Sequence, residues 1–186
     1  QYKIIKEINN DFIISNKKYS NIIINNIKQP LLLGSSIPKN KKIREIIRIK
    51  ENLSFYEIKA FNKWFLKIAK KYINTPYLWG GRSPLGIDCS GFTQMVYRFF
   101  GHYLPRDSFQ QEKKGISISN ILQIQLGDLA FFGKKQKTNH VGIILNNNKI
   151  IHASGKVRID KIDEKGIYNA DIKSYTHKLK SIKRIL

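Results

Sequence analysis

The stretch from residue 77 to residue 108 constrains this chain more than any other. It runs Tyr77-Leu78-Trp79-Gly80-Gly81, passes Pro84 and Gly86, reaches Asp88-Cys89-Ser90-Gly91 and closes on Leu104-Pro105-Arg106-Asp107-Ser108. Between its last two motifs Phe92, Val96, Phe99 and Phe100, with Met95 beside them, recur at three- and four-residue spacing, which predicts a helix with one buried face. Gly101 is its stop signal. Cys89, the single cysteine, therefore falls where a glycine-rich loop becomes the first turn of a helix. The positive end of the helix dipole there favours thiolate over thiol, so Cys89 is expected to be a low-pKa nucleophile that attacks a carbonyl. A lone cysteine is more commonly a small buried hydrophobe. Its neighbours Asp88, Ser90 and Gly91 are polar or small, a poor setting for core packing.

One cysteine excludes an internal disulfide framework, so stability must come from packing, and 186 residues suffice for one medium domain or two small ones. No uninterrupted apolar run approaches the roughly 20 residues that span a bilayer, and stable membrane insertion is not expected. The chain starts at Gln1 rather than methionine, which is compatible with removal of a leader. The net charge of +21 comes from 34 basic and 13 acidic residues. It could attract a polyanion, nucleic acid or an acidic wall polymer among them. Yet 27 of the 34 basic residues are lysines scattered through the whole chain, whereas a nucleic-acid reader concentrates charge and uses arginine on base edges. Compositional drift is the better reading, and no nucleic-acid partner is expected.

Taken in order, residues 1–52 read as short strands (3–8, 12–15, 21–25 and 30–33) separated by Asn-, Lys- and Gly-rich turns, one of them Gly34-Ser35-Ser36, with 43–49 an ambiguous further strand. This predicts a small antiparallel β-barrel. Residues 60–73 form an amphipathic helix, with Phe61, Trp64, Phe65, Ile68 and Tyr72 on one face and lysines on the other, ended by Pro76. After the central motif, 128–132, 139–145 and 149–152 read as strands, Ile159 and Ile162 extend the sheet, and the tail from 175 supplies a last strand. Helices followed by an antiparallel sheet argue for an α+β domain over residues 53–186.

Four histidines are candidates for a base. His102 and His177 have no obvious partner, but His140 and His152 lie on successive strands of one hairpin. A three-residue loop Asn146-Asn147-Asn148 pairs Leu145 with Lys149 and sets Gly142 opposite His152. Both imidazoles then share one face as diagonal neighbours, roughly 7–8 Å apart at the backbone. A two-residue loop would part them. Asn148 tolerates the left-handed conformation such a loop wants. Cys89, His140 and His152 thus fit an activated thiol with a base and an orienting residue, and backbone N–H groups at the helix start could hold an oxyanion. A zinc site from Cys89, His140, His152 and Asp88 is the competitor; it lacks close-spaced ligand pairs, and no metal or other cofactor is expected.

Six ordered motifs now resemble the NlpC-type cell-wall cysteine peptidases: Tyr77-Leu78-Trp79-Gly80-Gly81, Asp88-Cys89-Ser90-Gly91, Leu104-Pro105-Arg106-Asp107-Ser108, Gly127-Asp128-Leu129-Ala130-Phe131-Phe132, His140-Val141-Gly142 and Ile151-His152-Ala153. The resemblance covers about residues 55–186. It implies a reduced papain-like α+β fold, the nucleophile helix packed on an antiparallel sheet, with Cys89 as nucleophile, His140 as base and His152 as orienting residue. It also implies a bacterial SH3-like barrel over residues 1–52. The implied substrate is a peptidoglycan stem peptide, cut at the γ-D-glutamyl bond to L-lysine or meso-diaminopimelate and carrying a free N-terminal L-alanine. Tyr77, Asp88, Ser90 and Ser108 match residues that line the site for that amino end, and Asp107 adds a second acid beside them. A monomer in the cell envelope or secreted is expected, with cytoplasmic recycling as the other setting. Two other readings stay open: a related thiol amidase or acyltransferase, and a wall- or polyanion-binding module with a vestigial site.

Overall fold

The computed structural model describes residues 12–38, 47–49, 61–134, 137–146 and 148–185. The chain divides into two compact units, residues 1–57 and 58–186. In the first, β1 (Phe12–Ile14), β2 (Tyr19–Ile24), β3 (Ile27–Leu32), β4 (Ser36–Pro38) and β5 (Ile47–Ile49) follow one another. A tight hairpin joins β2 to β3, with Asn25 and Asn26 both at positive φ, the turn geometry that matches strand twist. Among the described residues these strands make a three-stranded sheet, β3-β2-β5, and a two-stranded one, β1-β4. Ile22, Leu31 and Ile37 bury together, which ties β4 to the hairpin. Ser36, expected in a turn, begins β4 because buried Ile37 draws the segment into this cluster. The expected strand at 3–8 lies outside the described residues, as do 39–46 and 50–52.

The second unit opens with α1 (Phe61–Lys70), which buries Phe65, Ile68 and Ala69 while Lys67 and Lys70 face solvent. The helix stops three residues short of the expected end. The N–H groups of Lys71, Tyr72 and Ile73 reach back only three residues, and Asn74 turns left-handed at φ 63°. No helix among the described residues is long and apolar enough to cross a membrane. A small clip, β6 (Arg82–Ser83) with β7 (Gly86–Ile87), leads into α2 (Cys89–Arg98). Phe65 of α1 packs edge-on against Tyr97 of α2 at 5.4 Å, and Tyr72 does the same to Phe92 at 5.8 Å. Buried edge-to-face pairs such as these contribute about 0.5–1.5 kcal/mol each beyond their area.

The chain continues through α3 (Ser108–Gln111), β8 (Ile116–Ser117) and six long strands: β9 (Leu129–Lys134), β10 (Lys137–Ile144), β11 (Lys149–Ser154), β12 (Lys156–Ile162), β13 (Gly166–Asn169) and β14 (Ser174–Arg184). All pair antiparallel in the order β13-β12-β11-β10-β9-β14-β8. Because β13 also pairs with β14, strands β9 to β14 close into a six-stranded barrel. Its interior holds Ala130, Phe132, Ile144, Ile150, Ile162, Ile167 and Ile182. Residues of opposite parity, Phe131, Val141, Ile143 and Ile151, are also fully buried, and α2 packs on β10 and β11. The expected α+β architecture, a nucleophile helix on an antiparallel sheet, is the one observed. Closure of that sheet into a barrel depends on β13, a four-residue strand without periodicity enough to be read.

Candidate active site

Asp88 sets the start of α2. Its extended backbone (φ −94°, ψ 176°) makes it the N-cap, with Oδ1 accepting from the Gly91 N–H at 2.7 Å. Its other oxygen accepts from the Gly80 N–H at 2.8 Å and so ties the glycine loop to the helix. A side chain at position 91 would lie 2.4 Å from the Gly81 carbonyl oxygen, so loop and helix can approach this closely only over glycine. Arg106 completes the junction, donating through both terminal nitrogens to Asp88 and through Nη1 to Ser90 Oγ at 2.9 Å. The Asp88 carboxylate thus receives two backbone and two guanidinium hydrogen bonds, which fill its acceptor sites. Burial would raise its pKa, but Arg106 and the two N–H groups hold it below the usual carboxylate value. Asp88 thus holds the framework of the site together while lining the cleft.

Cys89 heads α2 and is 7% exposed. Its sulfur lies against the Val141 N–H of β10 and the N–H groups of Ser90 and of its own residue. Burial, helped by the Asp88 charge, pushes the thiol pKa up although these N–H groups oppose it. The expected low-pKa thiolate is thus corrected. Desolvation outweighs the helix dipole, and the resting group is a thiol that needs a base.

The expected base, His140, directly precedes Val141, whose N–H meets the sulfur. Gly142 of β10 pairs with His152 of β11, the Leu145 N–H donates to the Lys149 carbonyl across the loop, and Asn148 sits at φ 61°, as the three-residue loop requires. The register argued from the sequence is the one found. His140 Nε2 lies 2.8 Å from His152 Nδ1, both rings buried and nearly perpendicular. Gly142 makes this contact possible: a Cβ there would stand 2.9 Å from the Cβ of His152 and 2.7 Å from Ile150 Cδ1. Burial pushes the His140 pKa well down, and the neighbouring His152 and His177 add to the effect. The ring is neutral and can accept a proton.

Three residues of this cluster escape the sequence reading. Asp160 of β12 accepts from His152 Nε2 at 2.9 Å. Arg158 holds Asp160 in turn, donating from Nη2 to Oδ1 at 2.9 Å, while its Nε lies 2.8 Å from Oδ2 but out of line for a hydrogen bond. Alternation around the Gly155 turn places His152 opposite Arg158 and Asp160 on the same face, so parity could have found both. His177 was left without a partner; it stacks on His140 with centroids 4.1 Å apart and planes at 26°. Burial, and then His152, lowers its pKa to about 4. The pairing of β14 with β9, whose other neighbour is β10, brings it there.

The nitrogens of these three imidazoles lie within 4.8 Å of one another. The nearly parallel rings of His140 and His177 direct their lone pairs side by side rather than at one point, and His140 and His152 already bond each other. The cluster is shaped as a proton relay. The competing zinc set also fails locally, because Asp88 is engaged by Arg106.

Above Cys89 lies a cleft of about 590 Å³ whose walls carry Tyr77, Asp88, Ser90, Asp107 and Ser108, all the residues expected to surround a substrate. Trp79, Phe109, Lys137 and Thr138, not singled out from the sequence, also line it. Asp107 begins α3 with its side chain exposed, whereas Ser108 is buried.

Comparison with known proteins agrees with this constellation. The NlpC/P60 family model matches residues 74–176. Dipeptidyl-peptidase 6 of Lysinibacillus sphaericus is 38% identical over 121 residues, covering 63% of this chain and 43% of that protein. The gamma-D-glutamyl-L-lysine dipeptidyl-peptidase of Bacillus cereus is 35% identical over 91 residues, 47% of this chain and 27% of that protein. The chain spans less than half the length of these two relatives. A crystal structure of an NlpC/P60 family protein from Bacillus cereus superposes on all of this chain and 67% of its own, with a TM-score of 0.73 at 20% identity, a likeness of fold alone. A family model that matches more than half of the residues, over the segment that carries Cys89, His140 and His152, makes this chain a member of the NlpC/P60 family.

Proposed function

We propose that the chain is a cysteine endopeptidase that cuts the γ-D-glutamyl–L-diamino-acid bond of peptidoglycan stem peptides bearing a free N-terminal L-alanine. The observation that carries this reading is a helix-start thiol in a cleft whose walls include Tyr77, Asp107 and Ser108, with the His140–His152 pair beginning on the strand whose Val141 N–H meets the sulfur. The Bacillus cereus relative, a gamma-D-glutamyl-L-lysine dipeptidyl-peptidase by name, supports the same bond.

Cys89 Sγ attacks the γ-carbonyl carbon while its proton passes to His140. The oxyanion is met by N–H groups at the start of α2. His140 then returns the proton to the amine of the leaving diamino acid, the C–N bond breaks, and a thioester remains on Cys89. Water attacks that thioester with His140 again taking the proton; the C–S bond breaks, His140 returns the proton to Cys89 Sγ, and L-Ala-γ-D-Glu departs as the γ-carboxylic acid, which ionises in solvent. His152 holds His140 in place throughout. The L-alanyl ammonium is read by the acidic wall of the cleft, where Asp107, the N-cap of α3, stands with Tyr77 and Ser108. Asp88 and Ser90, locked to Arg106, shape the wall on which it rests. Such substrates are found in the cell envelope or in material released from it, and the envelope is the proposed place of action.

Mass spectrometry of a defined L-Ala-γ-D-Glu-L-Lys or meso-diaminopimelate peptide tests this directly. The expected products are L-Ala-γ-D-Glu and the diamino acid fragment. An intact γ-glutamyl bond beside a cut elsewhere in the peptide would replace this specificity with another.

A further inference from the structure

We propose that Asp160, held by Arg158, fixes the tautomers of both histidines and so makes His140 Nδ1 the atom that accepts the Cys89 proton. The inference rests on the reading of His140 as the base for Cys89. It follows from hydrogen-bond bookkeeping along a chain of three contacts. An ionised carboxylate only accepts, so His152 Nε2, 2.9 Å from Asp160 Oδ2, must carry a hydrogen. A neutral imidazole has one N–H, which leaves His152 Nδ1 with a lone pair. The 2.8 Å contact between that atom and His140 Nε2 then needs its hydrogen on His140. His140 Nδ1 is left bare, and it is the one ring nitrogen not spent on His152. With both rings neutral, the reverse assignment would face a lone pair of His152 Nε2 against the carboxylate. Such an acceptor–acceptor contact among buried groups forfeits the hydrogen bond and costs the desolvation of both.

Arg158 makes the first link dependable. It flanks the Asp160 carboxylate on both oxygens, and its Nη2, which donates to Asp160, also meets Asp171 Oδ2 at 2.7 Å. When the thiol proton reaches His140 Nδ1, the ring becomes an imidazolium. Its Nε2–H still points to His152, whose own Nε2–H points to the Asp160 charge. The positive charge is stabilised across the intervening ring, and no second proton has to move. Asp160 touches neither substrate nor thiol; it is a positioning residue. His177, stacked over His140, closes one face of the ring against rotation.

The test compares Asp160→Asn with Asp160→Ala in the full chain. In Asp160→Asn, Arg158 claims the amide oxygen and the NH2 turns toward His152 Nε2. Every hydrogen bond of the relay reverses, and a His140 Nδ1–H faces the thiol. The expected loss in kcat is on the order of 10³–10⁴, the scale seen when the wrong tautomer is imposed on a catalytic imidazole, with KM little changed. Asp160→Ala imposes no donor, so it should lose distinctly less. A purely structural role predicts the opposite order, since Asn is the isosteric replacement. Long-range ¹H–¹⁵N spectra of the wild type should show protonated Nε2 on both His140 and His152, shifting to protonated Nδ1 in Asp160→Asn. Asp160→Asn as active as Asp160→Ala, or Nδ1–H tautomers in the wild type, would overturn the inference. The spectra need no substrate, so failure to cleave any stem peptide would strike the proposed function and leave the tautomer assignment standing. Should Asp160→Asn not fold, the wild-type spectrum alone still decides.

Discussion

Gly142→Ala perturbs the relay without touching any of its polar atoms. The new methyl carbon would lie 2.9 Å from the His152 Cβ, which no rotamer change can move, and 2.7 Å from Ile150 Cδ1. Relief must come from parting β10 and β11 by several tenths of an ångström, directly beneath the 2.8 Å contact of the two histidines. Overpacking of this kind costs about 1–3 kcal/mol. For a chain of this size that is a fall in Tm of roughly 3–10 °C. Misplacement of the base should lower kcat by about 10–100-fold, since a shift near 1 Å can cost on the order of 10². Gly155→Ala is the internal control: at φ 67° with open space around its Cβ, it meets only the left-handed penalty of about 1–2 kcal/mol. The two variants should therefore lose similar stability in urea unfolding, yet only Gly142→Ala should lose activity. Equal kcat in the two would refute the claim that glycine is needed there for histidine contact.

Four further outcomes are expected. Arg106→Met strands the Asp88 carboxylate and should cost about 1–3 kcal/mol in urea unfolding, less than a fully buried pair because Arg106 is partly exposed. Asp88 has a depressed folded pKa, so its contribution is complete above the unfolded carboxylate pKa and fades as pH falls through the folded one; Asp88→Asn should flatten that acid limb of stability. Alkylation of Cys89 by iodoacetamide should keep accelerating as pH rises past the ordinary thiol range, because burial raises its pKa, and a plateau on the acid side of neutrality would contradict this. N-acetylation of the substrate should lower kcat/KM, and Asp107→Asn should erase most of that discrimination, about tenfold or more for loss of one charge-assisted contact; if the free and acetylated peptides are cleaved alike by the wild type, Asp107 reads no amine.

The parts of the site carried by local pattern were legible. The position of Cys89 follows from loop glycines and a 3.6-residue apolar period, and the shared face of His140 and His152 from counting across Asn146-Asn147-Asn148. What failed needed either desolvation or a long-range contact. The acidity expected of Cys89 rested on a dipole argument that ignores how deeply the sulfur is buried. Nothing local shows that Arg106, 18 residues on, folds back over Asp88. His177 reaches His140 because the C-terminal β14 pairs with β9 on the side away from β10, a long-range pairing no single-segment periodicity reports. Asp160 lay within reach of parity, opposite the strand that bears His152.

The most direct test of the account is the turnover of a free-amine γ-D-glutamyl stem peptide by the wild type and by Cys89→Ala, with the acid-quenched wild-type protein weighed intact. The account predicts cleavage at the γ-glutamyl bond by the wild type, none by Cys89→Ala, and any trapped adduct equal to one L-Ala-γ-D-Glu acyl group on Cys89. Cleavage by Cys89→Ala at a rate comparable to the wild type would contradict it.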